Sequence, residues 1–328
     1  MRLTALVDGP EHVCCRYRVA AFRPFLEAAG HSLDLHPWPR PWWSRWRLLR
    51  ELRGTEALLI QRRLLPGWQV ALLRRAARFL LFDFDDAVFL RDSYAPRGPH
   101  SPRRLRRFAG VTRAADAAVA GNTFLRDAAA RWAGAGRVEV IPTCVDPERY
   151  PVAEHLRAGE GVQLVWIGSS STLRGLEAVR PLLEEVGRRC PGLRLKLVCD
   201  RFLELRHLPV LACPWSEARE APELAAADVG ISWVPDDDWS RGKCGLKVLQ
   251  YMAAGLPVVA NPVGVQAEIV RHGETGFLVD SPEGWAAAVG RLARDPALRR
   301  RMGKAGRRVV EAEYSVRAGA ARWLALLE

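Results

Sequence analysis

One stretch, Trp239 to Val279, limits what this chain can fold into more than any other. Its middle, Lys247-Val-Leu-Gln-Tyr-Met-Ala-Ala, has helical apolar spacing and no internal Gly or Pro. Gly255 closes that helix where a left-handed cap belongs, and Pro257 follows. Pro257-Val-Val-Ala is short, β-branched and flanked by punctuating residues, which reads as a buried parallel strand. Asn261-Pro-Val-Gly then forms a loop at the carboxyl end of that strand, Ala267-Glu-Ile-Val starts a second helix, and Gly276-Phe-Leu-Val returns as another strand. In open α/β sheets ligands bind at the carboxyl ends of strands. Helix starts there offer backbone N–H groups and the positive end of a dipole to an anion.

At 328 residues the chain has room for two α/β domains, each with its own core. An apolar content of 49% and a charged content of 26% belong to a globular chain rather than a disordered one. No apolar run approaches the roughly 20 residues that span a bilayer. Leu3-Thr-Ala-Leu-Val ends at Asp8 without the features of a signal peptide, so a cytoplasmic location is expected, including the inner face of the membrane. Seven cysteines, an odd number with no paired CxxC modules, read as reduced structural thiols rather than a zinc site or disulfide framework. The net charge of +12 is almost entirely arginine. Such an excess attracts nucleic acid, lipid head groups or nucleotide diphosphates alike, and it equally follows from genome composition.

The central stretch resembles the nucleotide-sugar-binding core of the family 4 (group 1) glycosyltransferases, retaining enzymes of the GT-B fold. The matching residues are Gly245-Leu-Lys-Val-Leu-Gln-Tyr-Met-Ala-Ala-Gly-Leu-Pro-Val-Val-Ala, Val263-Gly-Val-Gln-Ala-Glu-Ile-Val and Gly273-Glu-Thr-Gly-Phe-Leu-Val. The family's signature of two glutamates with seven residues between them is absent: Gly242 and Gln250 stand at those places. In the family the first Glu holds the transferred sugar and the second accepts hydrogen bonds from the ribose. An amide at Gln250 still accepts one bond and donates another, whereas Gly242 offers no side chain.

Arg2-Leu-Thr-Ala-Leu-Val reads as a first strand ending at Asp8-Gly-Pro, with a helix from about Arg18 to Ala29 behind it. This resembles the opening unit of the GT-B amino-terminal domain, which implies that Gly9 faces the donor side. Cys15-Arg-Tyr-Arg-Val resembles an Arg-aromatic-Arg segment of one bacterial branch. Cations are poorly placed at a helix start, which favours an anion-binding role for Arg16 over a solvated one. Phe79-Leu-Leu-Phe-Asp-Phe-Asp-Asp reads as a strand delivering Asp83, Asp85 and Asp86 to its carboxyl end. Carboxylates at i and i+2 suit a divalent metal, and an N-cap role is open too. The resemblance implies no metal and gives Asp85 and Asp86 to substrate positioning or acid/base assistance. Val138-Glu-Val-Ile-Pro-Thr-Cys-Val-Asp resembles the family's interdomain hallmark, and the linker is expected at about 147–161.

In the second half, Val162-Gln-Leu-Val-Trp-Ile-Gly-Ser-Ser-Ser-Thr reads as strand, loop and then a helix from about Gly175. The resemblance implies donor contacts from Gly168, Ser169 and Arg174 of that loop. Arg174, Lys243 and Lys247 are the cations expected on the diphosphate, Lys247 also in catalysis, with the amides of Gly245 and Leu246 assisting. Glu268 is expected to support the site from a helix start, with simple dipole complementarity as its competing reading. Asp236-Asp-Asp reads as a solvated loop, since three adjacent carboxylates cannot converge without repulsion.

Pro37 to Arg53 alternates tryptophans with arginines. This suits an anionic-lipid surface, packing against its own domain, or stacking with single-stranded nucleic acid. Peripheral membrane contact through Trp38, Trp42, Trp43 and Trp46 is expected, and no specific nucleic acid.

Together these features predict two Rossmann-like doubly wound domains facing each other across a cleft. Residues 1–155 form the acceptor-side domain, 156–310 the nucleotide-sugar domain, and 311–328 a helix crossing back. The resemblance implies sugar transfer, with retention, from a UDP- or GDP-linked donor to an acceptor hydroxyl, lipid-linked or membrane-proximal among the choices. No cofactor is expected. The alternative is a GT-B scaffold that lost its acidic pair and binds a nucleotide or a partner without turnover.

Overall fold

The computed structural model describes residues 1–39, 41–133 and 137–328, with the side chain of Trp42 outside the description. The first half runs β1 (Arg2–Val7), α1 (Val13–Arg18), α2 (Arg23–Ala28), β2 (Ser32–Pro37), α3 (Trp42–Glu51), β3 (Thr55–Gln61), α4 (Gly67–Ala76), β4 (Ala77–Phe84), α5 (Pro102–Ala114), β5 (Ala117–Ala120), α6 (Thr123–Ala133) and β6 (Val138–Val140). The second runs β7 (Gln163–Ile167), α7 (Ser170–Ala178), α8 (Arg180–Arg189), β8 (Arg194–Cys199), β9 (Val210–Pro214), α9 (Glu217–Ala225) and β10 (Val229–Ser232). It continues through α10 (Asp238–Arg241), α11 (Leu246–Ala253), β11 (Val258–Ala260), α12 (Gln266–Ile269), β12 (Gly276–Leu278), α13 (Pro282–Arg294), α14 (Pro296–Val309) and α15 (Val316–Leu327).

The chain divides into two compact units. The first comprises 1–144, 237–244 and 316–328; the second comprises 145–236 and 245–315. The division after Cys144 precedes the expected boundary at residue 155, and the short Asp237–Cys244 segment groups with the first unit.

In the first unit all strand pairs are parallel, in the order β2-β1-β3-β4-β5-β6. Alternation along each strand sends residues to two covered faces. Leu6, Leu58, Ile60, Leu80, Phe82 and Phe84 join one apolar cluster; Leu3, Ala5, Val7, Leu59, Leu81 and Val119 join the other. The second face is closed by Phe22 and by Val316, Ala320 and Trp323 of α15. Each Leu, Val, Ile or Phe side chain among them contributes about 1.5–3 kcal/mol of burial. The helix expected from Arg18 to Ala29 is instead two helices. The His12 Nδ1 accepts from Cys14 N (3.3 Å) and caps α1 early, and the chain breaks at Val19, whose ψ of −61° pairs with a φ of −131°.

The second unit is also fully parallel, in the order β12-β11-β10-β7-β8-β9. That order reverses direction between β7 and β10, which opens a crevice beyond their carboxyl ends. Gly230 of β10 brings α11 close: a Cβ there would lie 2.4 Å from the Tyr251 ring. Tyr251 is fully buried, and its hydroxyl accepts from Ile167 N (3.0 Å). α11 is thereby fixed against β7 and β10, with its amino end at the crevice.

Candidate functional site

In the first unit the strand order reverses between β1 and β3, and the loops after both strands carry charge. Gly9 lies in the loop after β1, and a Cβ there would meet nothing within 4 Å. Arg62 follows β3 with φ +59°, in the left-handed region that costs a non-glycine residue about 1–2 kcal/mol. Its amide donates to the Asp83 carbonyl (2.8 Å), and the guanidinium bridges Asp85 and Asp86 (2.7 Å to Asp86 Oδ2). Burial alone would raise the Asp85 carboxyl, but Arg62 and then Arg18 hold it below the usual carboxylate range. A carboxylate held this low makes a poor proton donor near neutral pH, which favours charge placement over acid catalysis for Asp85.

Asp83, at the end of β4, is fully buried against Arg18. Arg18 also donates to the Ile141 carbonyl (2.5 Å). Burial pushes the Asp83 carboxyl up, with Arg18 opposing. The carboxylates proposed from sequence as a metal pair are thus each engaged by arginine. Arg16 lies in the last turn of α1, not at a helix start, so the dipole argument for an anion role reverses: a cation belongs there. It lies 5.3 Å from the Tyr17 ring.

The Asp237–Cys244 segment packs onto this group. Asn122 Nδ2 donates to the carbonyls of Arg241 (3.2 Å) and Lys243 (3.0 Å), and the Cys244 thiol donates to the Asp85 carbonyl (3.1 Å). Gly242 is at van der Waals limit: a Cβ would lie 2.7 Å from Ala87 Cβ and 2.8 Å from Ala87 N. The position lacks not only a glutamate but the space for one. Lys243 Nζ is 3.9 Å from Asp86 and 5.3 Å from the Trp239 ring centre, half-buried beside a carboxylate.

In the second unit Gly168 follows β7, and α7 starts at Ser170, one turn before the expected start near Gly175. Ser169 N donates to Thr172 Oγ1 (3.2 Å), which sets the earlier start. Arg174 therefore lies within the helix, exposed, and not in the loop. Asp200, after β8, accepts from Ser170 N (2.6 Å) and Ser170 Oγ (2.8 Å). These bonds, the hydroxyl first, hold its carboxyl below the usual range. The amino end of α7 is thus engaged by a carboxylate of the chain itself.

α11 differs. Gly245 is its N-cap with φ +68°, and a Cβ there would also press on Ile269 at 2.6 Å. The first-turn amides follow at Leu246, Lys247 and Val248. Lys247 Nζ lies 4.8 Å above the Trp166 ring, which fixes a half-buried cation beside this helix start. Asn261 holds the neighbouring strand ends together: its Nδ2 donates to the Val234 carbonyl (2.7 Å) and its Oδ1 accepts from Val234 N (3.0 Å). Gln266 of α12 donates to Asn261 and accepts from Ser232, while Glu268 is exposed in the first turn.

Gln250 is buried, and its Nε2 donates to the Tyr150 hydroxyl (3.2 Å). That hydroxyl approaches Glu220 Oε1 (3.5 Å), and Trp215 Nε1 donates to Glu220 Oε2 (3.0 Å). The side chain expected on a ribose belongs to an internal polar network. Arg62, Asp200 and Tyr150 were not singled out from sequence. For Arg62 and Asp200 the signal was available: a charged residue directly after a buried strand.

Residues 176–295 match the family model described as "Glycosyl transferases group 1".

Within these residues the chain is similar to group 1 glycosyltransferases.

Among curated relatives, the D-inositol 3-phosphate glycosyltransferase of Pseudarthrobacter chlorophenolicus is 30% identical over 189 residues, 52% of this chain and 45% of the relative. The chain thus spans less than half the length of that relative. Among solved structures, sucrose-phosphate synthase from Thermosynechococcus elongatus aligns over 99% of this chain and 98% of its own, with TM-score 0.75 and 19% identity. Anabaena HepE in complex with UDP-glucose aligns over 100% and 99%, with TM-score 0.71 and 15% identity. At these identities the likeness is one of fold: two Rossmann-like sheets as in GT-B glycosyltransferases.

Proposed function

We propose that this chain is a glycosyltransferase that moves a sugar from a nucleoside diphosphate donor to an acceptor hydroxyl, with retention of anomeric configuration. The observation that carries the reading is the amino end of α11, inside the group 1 segment, with Lys247 held at 4.8 Å over Trp166 beside it. The departing diphosphate gains negative charge as its bond to the sugar breaks, and preorganised N–H groups and a cation lower that barrier. In this reading Lys247 and the amides of Leu246 and Lys247 hold the diphosphate, and the exposed Arg174 adds a second cation. Asn261 and Gln266 position the loop after β11, and Gln250 acts through Tyr150 rather than on the ribose. Asp85 and Asp86, each held through one oxygen by Arg62, position substrate.

The UDP-glucose named with HepE supports a uridine-linked donor first and a guanosine-linked one second. The relatives named for D-inositol 3-phosphate support that acceptor as the first to try, ahead of lipid-linked glycans. The test is nucleoside diphosphate release from UDP-, GDP-, ADP- and TDP-sugars, with D-inositol 3-phosphate or membrane extract as acceptor, and NMR of the product anomer. Release from one donor, with the anomer retained and lost in Lys247→Ala, supports the proposal. Inversion overturns the retaining mechanism. Silence with every donor, while a nucleotide still binds, points to a non-catalytic scaffold.

A further inference from the structure

We propose that the first unit docks on an anionic lipid surface through the amino-terminal halves of α3, α4 and α5. This goes beyond the transferase reading, because vesicle binding needs no turnover. The structure redraws the sequence expectation. Trp38 is buried, 7% exposed, and belongs to the core; the side chain of Trp42 lies outside the described residues. Trp43 and Trp46 on α3 are 63% and 47% exposed. Trp68, the second residue of α4, is 53% exposed and stacks on Trp46 at 5.8 Å. Leu105 on α5 is 43% exposed, and Arg107 Nη1 donates to the Leu64 carbonyl (3.3 Å), which ties this part of α5 to the loop before Trp68.

These three helices follow parallel strands, so their amino ends gather at one edge of the sheet. Large apolar rings left in water in a cluster mark an interaction surface. Its charge selects the partner. Arg47, next to Trp46 and paired with Glu51 (2.9 Å), and Arg103 and Arg106, flanking Leu105, are exposed, and Glu51 is the single carboxylate on the three helices. The crowding is enough that Arg107, through burial and then Arg103 and Arg106, is held below its ordinary value. Tryptophans that reach the headgroup boundary, with arginines facing phosphates, are what an anionic bilayer binds. No helix among the described residues is long and apolar enough to cross a membrane, so contact of these helices is peripheral.

The test is co-sedimentation of the whole chain with vesicles of phosphatidylcholine alone and of phosphatidylcholine containing 30% phosphatidylglycerol (on the order of physiological anionic content), with tryptophan emission recorded. The expected result is binding to the anionic vesicles only, with a blue shift. Arg103→Gln and Arg106→Gln should each weaken it about fivefold, and Trp46→Ser with Trp68→Ser should abolish the shift with circular dichroism unchanged. Equal binding to neutral vesicles, no binding to anionic ones, or full binding by the tryptophan double variant overturns the proposal. Tighter binding to single-stranded oligonucleotide than to anionic vesicles overturns it too and assigns the patch to nucleic acid.

Discussion

Gly242→Glu restores the glutamate of the family signature, and the structure predicts that it damages the protein. A Cβ at this position lies 2.7 Å from Ala87 Cβ and 2.8 Å from Ala87 N, and backbone atoms cannot give way as a flexible side-chain tip would. Overpacking of this kind costs about 1–3 kcal/mol. At about 2–4 °C per kcal/mol for a unit of this size, the melting temperature should fall by roughly 2–12 °C. The new carboxylate also enters beside Asp85 and Asp86, whose charge is balanced by Arg62 and approached by Lys243. Gly242→Ala separates the two effects, since it carries the clash without the charge. Differential scanning fluorimetry and donor turnover are the assays. Both variants should melt lower, with the glutamate variant lower still and no more active. An unchanged melting temperature together with raised turnover would refute the steric argument and the registration of this loop against Ala87.

Two further predictions concern the buried charges. Arg18→Leu strands Asp83 in the core and should cost about 3–5 kcal/mol, while Arg18→Leu with Asp83→Leu should recover most of it; denaturant unfolding of both variants checks this. Arg62→Leu should cost about 3 kcal/mol at pH 7. Because Arg62 depresses Asp85, that contribution is present above the unfolded carboxylate value near 4 and is lost as pH falls through the folded one. The stability gap between wild type and variant should therefore narrow below about pH 4; a gap that stays constant from pH 7 to pH 3 would contradict the assignment.

Much of the second half of the chain was legible because parallel sheets write themselves in short β-branched runs closed by Gly and Pro. Pro257-Val-Val-Ala became β11 with Gly255 in the left-handed cap, φ +71°, and Val316–Leu327 became α15 with the expected bounds. Local signals failed where tertiary contacts decided. Thr172 bonding back to Ser169 moved the start of α7 and took Arg174 out of the loop. Arg62 joins Asp85 and Asp86 only through a left-handed backbone, which no propensity suggests for arginine. The space at Gly242 depends on Ala87, distant in sequence, and the burial of Trp38 depends on a core that the Trp/Arg pattern does not describe. Gln250 was read as a ligand contact because its neighbours match a family; its partner Tyr150 lies in a segment read as linker.

The central claim is that the amino end of α11 holds the donor's diphosphate through Lys247. Calorimetric titration of UDP and GDP into wild type and Lys247→Ala tests it most directly. The account predicts binding of at least one of them by wild type and a loss of about 10–100-fold in the variant, the worth of one charge-assisted contact of about 1.5–3 kcal/mol. Unchanged affinity in Lys247→Ala, with the fold intact, would contradict it.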